Sequence, residues 1–166
     1  MDANAKKMTL RMIPYGLYVL TAEHEGRIAA ATVNWVTQAS FEPPLLVTAV
    51  KKDSATFEIV RASGAFALNV LGKGQNDVAF AFFKPVELAG DMIGGQRFRR
   101  GTTGAPILEA LPAFVECHVR TVVDEGDHAV VVGLVVDAGV AKAPDGRADE
   151  ATLWLKDLGE KMFYGG

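Results

Sequence analysis

Lysine and hydroxyl side chains cluster where a short apolar run meets the start of a predicted helix. Residues 45–50 are typical of a buried strand, and Lys51, Ser54 and Thr56 follow them closely. We expect Asp53 or Ser54 to cap the helix, because such side chains accept hydrogen bonds from the free N–H groups of a first helical turn. A helix N-terminus with lysines beside it suits a phosphate. Ordinary capped helices begin with the same residue types, so the spacing alone leaves both interpretations open.

The segment upstream of this cluster combines small residues with amide and hydroxyl side chains. Residues 29–38 place Thr32, Asn34 and Gln38 among strand-forming residues such as Trp35. A flat ligand could lie against a strand of this composition. Two consecutive prolines then end the strand, because proline fixes φ and donates no ladder hydrogen bond.

Histidine and cysteine provide the remaining candidates for chemistry. The imidazole of His128 could hydrogen-bond a cofactor or substrate, or it could simply begin a strand and bond a backbone carbonyl. Cys117 is the only cysteine, which excludes an intramolecular disulfide and a cysteine metal cage. Its alternating strand pattern indicates a small core residue rather than a nucleophile. His24, His118 and His128 lack the spacing of metal ligands, so we expect no metal.

Strand-like runs predict one mainly β domain with a few α-helices over residues 1–166. A first hairpin is expected from residues 17–22 and 27–38, and a second from residues 113–123 and 128–140. We expect these strands to form a closed antiparallel barrel, because closure removes exposed sheet edges.

Two short helices and a long loop are expected between the hairpins. The helices would span residues 54–62 and 77–83, with Asn76 as the cap of the second. Residues 87–106 contain five glycines, so we expect an irregular loop that acts as a mobile or functional lid. The arginines at positions 97, 99 and 100 in this loop would meet a nucleotide 2′-phosphate or be solvated.

Composition and charge limit the classes of partner. The formal net charge of -3 gives no general attraction to nucleic acid or anionic lipid. No apolar run approaches the roughly 20 residues that a membrane span requires, and no signal-peptide core is visible, so we expect a cytoplasmic protein.

The nearly continuous apolar run at residues 129–136 predicts burial on both faces, in a barrel wall or against a partner subunit.

Five sequence blocks are spread over nearly the whole chain. They are residues 15–22, residues 31–44 followed by Lys51-Lys52-x-Ser54-x-Thr56, residues 63–71, Gly126-Asp127-His128 followed by residues 130–133, and residues 163–166. In this order the blocks resemble the flavin reductase family of FMN-binding split barrels, whose true reductases and flavodoxin-like electron-transfer members share them. The resemblance implies an antiparallel Greek-key split β-barrel.

The resemblance implies that the predicted strand at residues 29–38 and the residues just after it hold the isoalloxazine ring and the ribityl chain of the flavin. Thr32, Val33 and Asn34 would contact the isoalloxazine or the ribityl chain, partly through backbone groups. Gln38 and Ser40 would face the ribityl chain and the phosphate.

The phosphate and the edge of the ring have their own expected contacts. Lys51, Ser54 and Thr56 would hold the phosphate, in agreement with the independent argument from the helix start. Trp35 would pack at the ring edge or simply in the core. Phe83 would help to close the pocket or serve only as packing.

The resemblance also gives expectations for His128 and Tyr164. The resemblance places His128 near both rings as the candidate catalytic residue. Tyr164 would reach the same pocket or a partner subunit.

As a function, the resemblance implies an FMN-binding oxidoreductase, with FAD as the alternative cofactor. NAD(P)H would reduce the flavin by hydride transfer, and electrons would pass to an acceptor or to a partner monooxygenase. Members of the family are commonly homodimers. One alternative is an FMN-bound, flavoredoxin-like electron carrier without its own NAD(P)H site, and another is a ligand-binding or structural barrel without turnover.

Overall fold

The computed structural model describes residues 1–165, and within them the chain is built mainly from antiparallel strands. Three α-helices accompany the strands: α1 (Ala3–Arg11), α2 (Ala55–Ser63) and α3 (Asn76–Ala81). Two short 3₁₀ segments, Ala148–Ala151 and Leu155–Leu158, lie near the C-terminal end. The strands are β1 (Tyr18–His24), β2 (Arg27–Val33), β3 (Val36–Ser40), β4 (Leu45–Lys51), β5 (Ala65–Val70), β6 (Leu88–Ala89), β7 (Met92–Ile93), β8 (Gln96–Arg100), β9 (Pro106–Leu108), β10 (Ala113–Val123) and β11 (His128–Val140).

One seven-stranded sheet forms the body of the fold, in the order β2-β1-β5-β10-β11-β4-β3. All of its neighbouring strands are antiparallel. Its two edge strands, β2 and β3, follow each other in the chain but do not pair within the described residues. The expected mainly β split barrel is therefore confirmed, whereas the expectation of full closure is wrong.

The second strand of the first hairpin, predicted at residues 27–38, is in fact two strands, β2 and β3. The break falls at Asn34 and Trp35, because both residues bond outside the first hairpin. The Asn34 amide donates to the carbonyl of Tyr164, and the Trp35 carbonyl accepts a hydrogen bond from Ala49 of β4. The chain thus leaves β1 and begins a new pairing with β4, which leaves an opening between β2 and β3.

Strand β1 separates two apolar clusters. Val19 and Leu20 are both fully buried, but they belong to different clusters because successive side chains of a strand point to opposite faces. The cluster around Leu20 fills the barrel interior, into which α2 inserts Phe57 and Val60. The cluster around Val19 lies on the outer face and includes Phe82, which follows α3.

Helix boundaries agree with the sequence for α2 and differ for α3. Ser54 caps α2 by accepting a hydrogen bond from the N–H of Phe57, and Gly64 ends it at a φ of 66°. The predicted cap of α3 is wrong, because Asn76 is already helical and its amide donates to the carbonyl of Asp157 instead.

The segment predicted as an irregular loop at residues 87–106 is a small antiparallel sheet, in the order β6-β7-β8-β9. Its strands have two to five residues each, too few to show a periodic pattern. Arg97 pairs with Asp91 and Arg100 with Glu23, so these two guanidinium groups already have carboxylate partners. The buried side chain of Ile93 ties the sheet to the outer cluster.

No helix among residues 1–165 combines the length and apolar character that a membrane crossing requires. Within the same residues, no group of three or more His, Cys, Asp or Glu side chains could hold a metal ion.

The prediction of a core cysteine is confirmed, since Cys117 is fully buried. Burial and the neighbouring Glu116 raise its pKa to about 12, which leaves almost no thiolate at neutral pH.

Glu116 is a buried carboxylate that the sequence pattern did not single out. Its side chain is fully buried on β10. It accepts hydrogen bonds from the N–H groups of Thr102 and Thr103 at 2.9 and 2.8 Å, and from the Thr103 hydroxyl at 2.6 Å. The carboxylate thereby fixes the turn between β8 and β9 against the large sheet.

We predict that Glu116→Gln lowers the free energy of unfolding by about 2–4 kcal/mol, because an amide turns N–H groups toward donors that need an acceptor. The control is Glu125→Gln in the exposed turn between β10 and β11, which should change stability by less than about 0.5 kcal/mol. Urea unfolding followed by circular dichroism at one protein concentration measures both. Equal stability of the two variants would contradict the structural role of Glu116.

Candidate functional site

A cavity of about 640 Å³ opens beside the split in the barrel. Its volume lies within the range of small-molecule and cofactor sites. The N-terminus of α2, the edge strand β2 and the segment after α3 form most of its walls. The lining includes residues 28–34, residues 49–51 and 53–56, residues 82–86, Leu17, His128, Leu155 and Tyr164.

Strand register brings distant parts of the sequence together at this cavity. In the pairing of β11 with β4, His128 lies opposite Lys51. Lys51 is the last residue of β4, and Ser54 caps the helix that follows. His128 is therefore held beside the helix start by the ladder of the sheet.

The first turn of α2 presents free hydrogen-bond donors to the cavity. The Ser54 hydroxyl accepts from the Phe57 N–H and donates to the Lys51 carbonyl at 2.6 Å. The N–H groups of Ala55 and Thr56, and the Thr56 hydroxyl, have no partner among residues 1–165. The donors available to an anion are therefore these three groups, whereas the single Ser54 proton is already engaged in the cap.

Charge at this end of the cavity is mixed. The Lys51 ammonium lies 3.1 Å from a carboxylate oxygen of Asp53, and both side chains are exposed. The hydrogen bond and charge of Asp53 raise the pKa of Lys51, so the ammonium stays protonated. An anion bound here would gain Lys51 as a counter-ion and would share it with Asp53.

An aromatic cluster of Trp35, His128 and Tyr164 lies beside Lys51. The centroid of the His128 ring is 4.7 Å from that of Trp35 and 5.8 Å from that of Tyr164. The His128 side chain is only 12% exposed. Its Nε2 lies 2.7 Å from the Tyr164 hydroxyl, and its Nδ1 lies 3.0 Å from the Asp127 carboxylate.

The protonation states of its neighbours define how His128 is bonded. The hydrogen bond with His128 lowers the pKa of Asp127, which is therefore a charged acceptor at neutral pH. Burial raises the pKa of Tyr164, which is therefore a protonated donor. Because a carboxylate only accepts, the proton in the bond to Asp127 is on Nδ1, and the Tyr164 hydroxyl is the partner of Nε2.

Thr32 and Asn34, on the β2 side of the cavity, differ in which of their hydrogen-bonding groups remain without a partner. The Thr32 hydroxyl donates to the carbonyl of Ala79, and its N–H donates to that of Phe82. Thr32 thus anchors the segment that ends α3. Asn34 is buried and donates to the Tyr164 carbonyl at 3.3 Å, and its amide oxygen has no partner among the described residues. Trp35 Nε1 is also buried without a partner in that part of the chain.

The cavity contains most of the predicted site residues but not all of them. Trp35 packs behind the cavity against His128. Gln38 and Ser40 lie on β3 outside the lining, where the Gln38 amide donates to the Ser40 carbonyl; their contacts stay predictions. The predicted site residues that do line the cavity are Thr32, Val33, Asn34, Lys51, Ser54, Thr56, Phe83 and His128.

Several lining residues were not predicted as site residues, among them Asp53, Phe82 and Lys84. Asp53 was considered only as a helix cap, and Phe82 and Lys84 belong to the segment after α3. The aromatic pair that ends an apolar helix is a weak signal, since such residues usually serve in packing.

The chain matches the model of the family described as flavin reductase like domain over residues 10–157. It is 36% identical over 135 residues to a probable flavin reductase of Rhizobium meliloti (strain 1021), covering 81% of this chain and 42% of that protein. It is 33% identical over 135 residues to stachydrine N-demethylase reductase subunit Stc3 of the same organism, covering 81% and 57%. The chain spans about half the length of these two curated relatives.

A solved structure supports the same relationship. NADH:FAD oxidoreductase SgcE6 of Streptomyces globisporus C-1027, in complex with NAD and FAD fragments, superposes with a TM-score of 0.68 at 29% identity. The superposition covers 77% of this chain and 76% of that one. Since the family model covers residues 10–157, most of the sequence, the chain belongs to the flavin reductase like domain family.

Proposed function

We propose that the chain is an FMN-dependent oxidoreductase that accepts hydride from NAD(P)H and passes electrons to an acceptor or to a partner monooxygenase. The observation that carries the proposal is the shape and chemistry of one cavity. It combines free donors at a helix N-terminus, a strand wall of small residues and a mostly buried imidazole within about 640 Å³. The names of the two curated relatives describe a probable flavin reductase and the reductase subunit of an N-demethylase, which supports this class.

The donors at the start of α2 suit the FMN phosphate. Two unbonded N–H groups, the Thr56 hydroxyl and the Lys51 ammonium converge there, and the positive end of the helix favours an anion. FAD has a phosphate at the corresponding position, so this end of the cavity suits either flavin.

The strand wall suits the ring and its chain. Thr32 and Val33 would face the flavin with the strand backbone and small side-chain surface, because the Thr32 hydroxyl is already bonded to Ala79. The partnerless amide oxygen of Asn34 would accept a hydrogen bond from the ring or a ribityl hydroxyl. Phe83 would cover the opposite side.

His128 would position the nicotinamide against the flavin. The bound flavin supplies the hydride and electron chemistry, and the protein holds the two rings in register and excludes water. Asp127 and Tyr164 hold the imidazole at Nδ1 and Nε2, so its orientation is fixed before a nucleotide arrives. A positioned imidazole reduces the entropy cost of aligning the rings.

The phosphate assignment predicts opposite effects from two substitutions. Thr56→Val should weaken FMN about ten-fold through the lost charge-assisted hydrogen bond, while riboflavin, which has no phosphate, should bind unchanged. Asp53→Asn should strengthen FMN about two-fold to five-fold, because it removes a carboxylate that competes for Lys51. Fluorescence titration with FMN and riboflavin measures both, with the exposed Thr37→Val as control. Equal weakening of both ligands by Thr56→Val would refute the assignment.

Hydride transfer is tested by anaerobic titration of the FMN-loaded protein. NADH or NADPH should bleach the flavin absorbance, and His128→Ala should slow bleaching about ten-fold or more with little change in FMN affinity. His118→Ala, at an exposed position on β10, is the matched control. A loaded protein that both nucleotides leave oxidised would identify the electron-carrier alternative and overturn the reductase proposal.

We further propose that the chain forms a homodimer through the outer face of β11. The inward residues Ala129 and Val131 are fully buried, whereas the outward residues Val130, Val136 and Val140 are 37%, 39% and 65% exposed. The apolar run is therefore covered on one face only within a single chain. Exposed apolar surface on a sheet is typical of an interface between subunits.

The dimer proposal predicts a solution mass of twice 17.7 kDa for this chain. The double variant Val130→Lys with Val136→Lys should dissociate it, because two lysines would have to be buried without partners. Ala62→Lys on the exposed side of α2 is the control. Analytical ultracentrifugation distinguishes the two states, and a monomeric wild-type chain would contradict the proposal.

A further inference from the structure

A second cavity, of about 250 Å³, adjoins the first on the C-terminal side of the molecule. Leu155 and Tyr164 line both cavities. Tyr164 thus lies at the boundary between the cavities, where its hydroxyl bonds His128 and its carbonyl accepts from Asn34. A ligand that extends along this boundary would occupy both cavities.

The second cavity is aromatic and cationic. Its walls include Tyr15, Trp154 and Phe163, and its two charged side chains are Arg11 and Lys156, with no carboxylate among the described lining residues. Aromatic faces bind planar heterocycles by stacking, at about 1–3 kcal/mol per base. Guanidinium and ammonium groups bind phosphate.

The two cations are free of carboxylate partners within residues 1–165. The Arg11 guanidinium lies 4.3 Å from the centroid of the Phe163 ring, and its Nε donates to the Gly165 carbonyl. Lys156 Nζ lies 5.7 Å from the Trp154 ring. The remaining donors of both side chains have no partner among residues 1–165, in contrast to Arg100, which is engaged by Glu23.

We propose that this second cavity binds the adenosine phosphate half of a dinucleotide whose redox-active ring lies in the larger cavity, an inference that rests on the proposed function. The chemistry of the walls matches both parts of that half, with stacking surfaces for the base and cations for the phosphates. The pyrophosphate would lie along the boundary that Leu155 and Tyr164 share between the two cavities. Two dinucleotides have this half in common, the nicotinamide nucleotides and FAD.

The test begins with ADP, which carries the base and phosphates without either redox ring. Calorimetry should show ADP binding to the wild-type chain, and binding about ten-fold weaker or more in Arg11→Gln with Lys156→Gln. The charge-matched control, Lys6→Gln with Lys142→Gln at exposed positions outside the cavity, should bind ADP like the wild type. Absence of ADP binding, or equal loss in both double variants, would overturn the proposal.

Two pairs of ligands, each with and without the adenosine phosphate half, then show whether that half belongs to a nicotinamide nucleotide or to FAD. If the nicotinamide nucleotide extends into the cavity, the KM for NADH rises about ten-fold in the Arg11 and Lys156 variant, while that for reduced nicotinamide mononucleotide is unchanged. If FAD extends into it, the FAD dissociation constant rises by the same factor and that of FMN does not. FMN binding to the wild type is the readout of the larger cavity alone, so its failure refutes the proposed function independently of the ADP result.

Discussion

The pairing of β4 with β11 is the constraint on which the rest of the site depends. It sets His128 opposite Lys51 and ties both to the start of α2. A shift by one residue would exchange the inner and outer faces of β11. The inner residues Ala129 and Val131 are fully buried, so such a shift would expose the core and bury the residues that face outward. The core therefore protects the register of the site.

The opening of the barrel has a specific cause in the chain between β2 and β3. Asn34 and Trp35 direct their hydrogen bonds to the C-terminal segment and to β4 instead of to the first hairpin. The two edge strands consequently separate, and the cavity lies where they part. Phe82 and its neighbours cover the exposed edge of β2 by accepting the Thr32 N–H. The same two residues that end one strand thus form part of the site.

Local signals in the sequence predicted the elements with strong patterns. Both strands of the second hairpin have the predicted bounds, because long alternating or apolar runs are bounded by an acidic turn. The Ser54 cap was also predictable, since it is a contact between residues three apart. The break at Asn34 was not, because its cause is a bond to Tyr164 at the other end of the chain. The small sheet of β6 to β9 escaped prediction since its strands are too short to show a period.

The site itself followed from sequence only in part. Free donors at the α2 start could be inferred from local spacing, but the resemblance was needed to connect them with Thr32 and His128. The burial of Glu116 and the partnership of His128 with Tyr164 depend on tertiary contacts. Trp35 and Trp154 are the only tryptophans of the chain. Trp35 contacts His128 and Tyr164, which line the larger cavity, whereas Trp154 itself lines the second cavity.

This distribution of tryptophans allows a direct measurement of where a flavin binds. In Trp154→Phe, Trp35 is the only remaining indole, and it lies against His128 at the larger cavity. Titration of this variant with FMN should quench its fluorescence and saturate at about one FMN per chain, because energy transfer to a flavin is efficient at contact distance. FMN that binds with the same stoichiometry but leaves the Trp35 fluorescence unchanged, or that shows no saturable binding, would contradict a flavin site in this cavity.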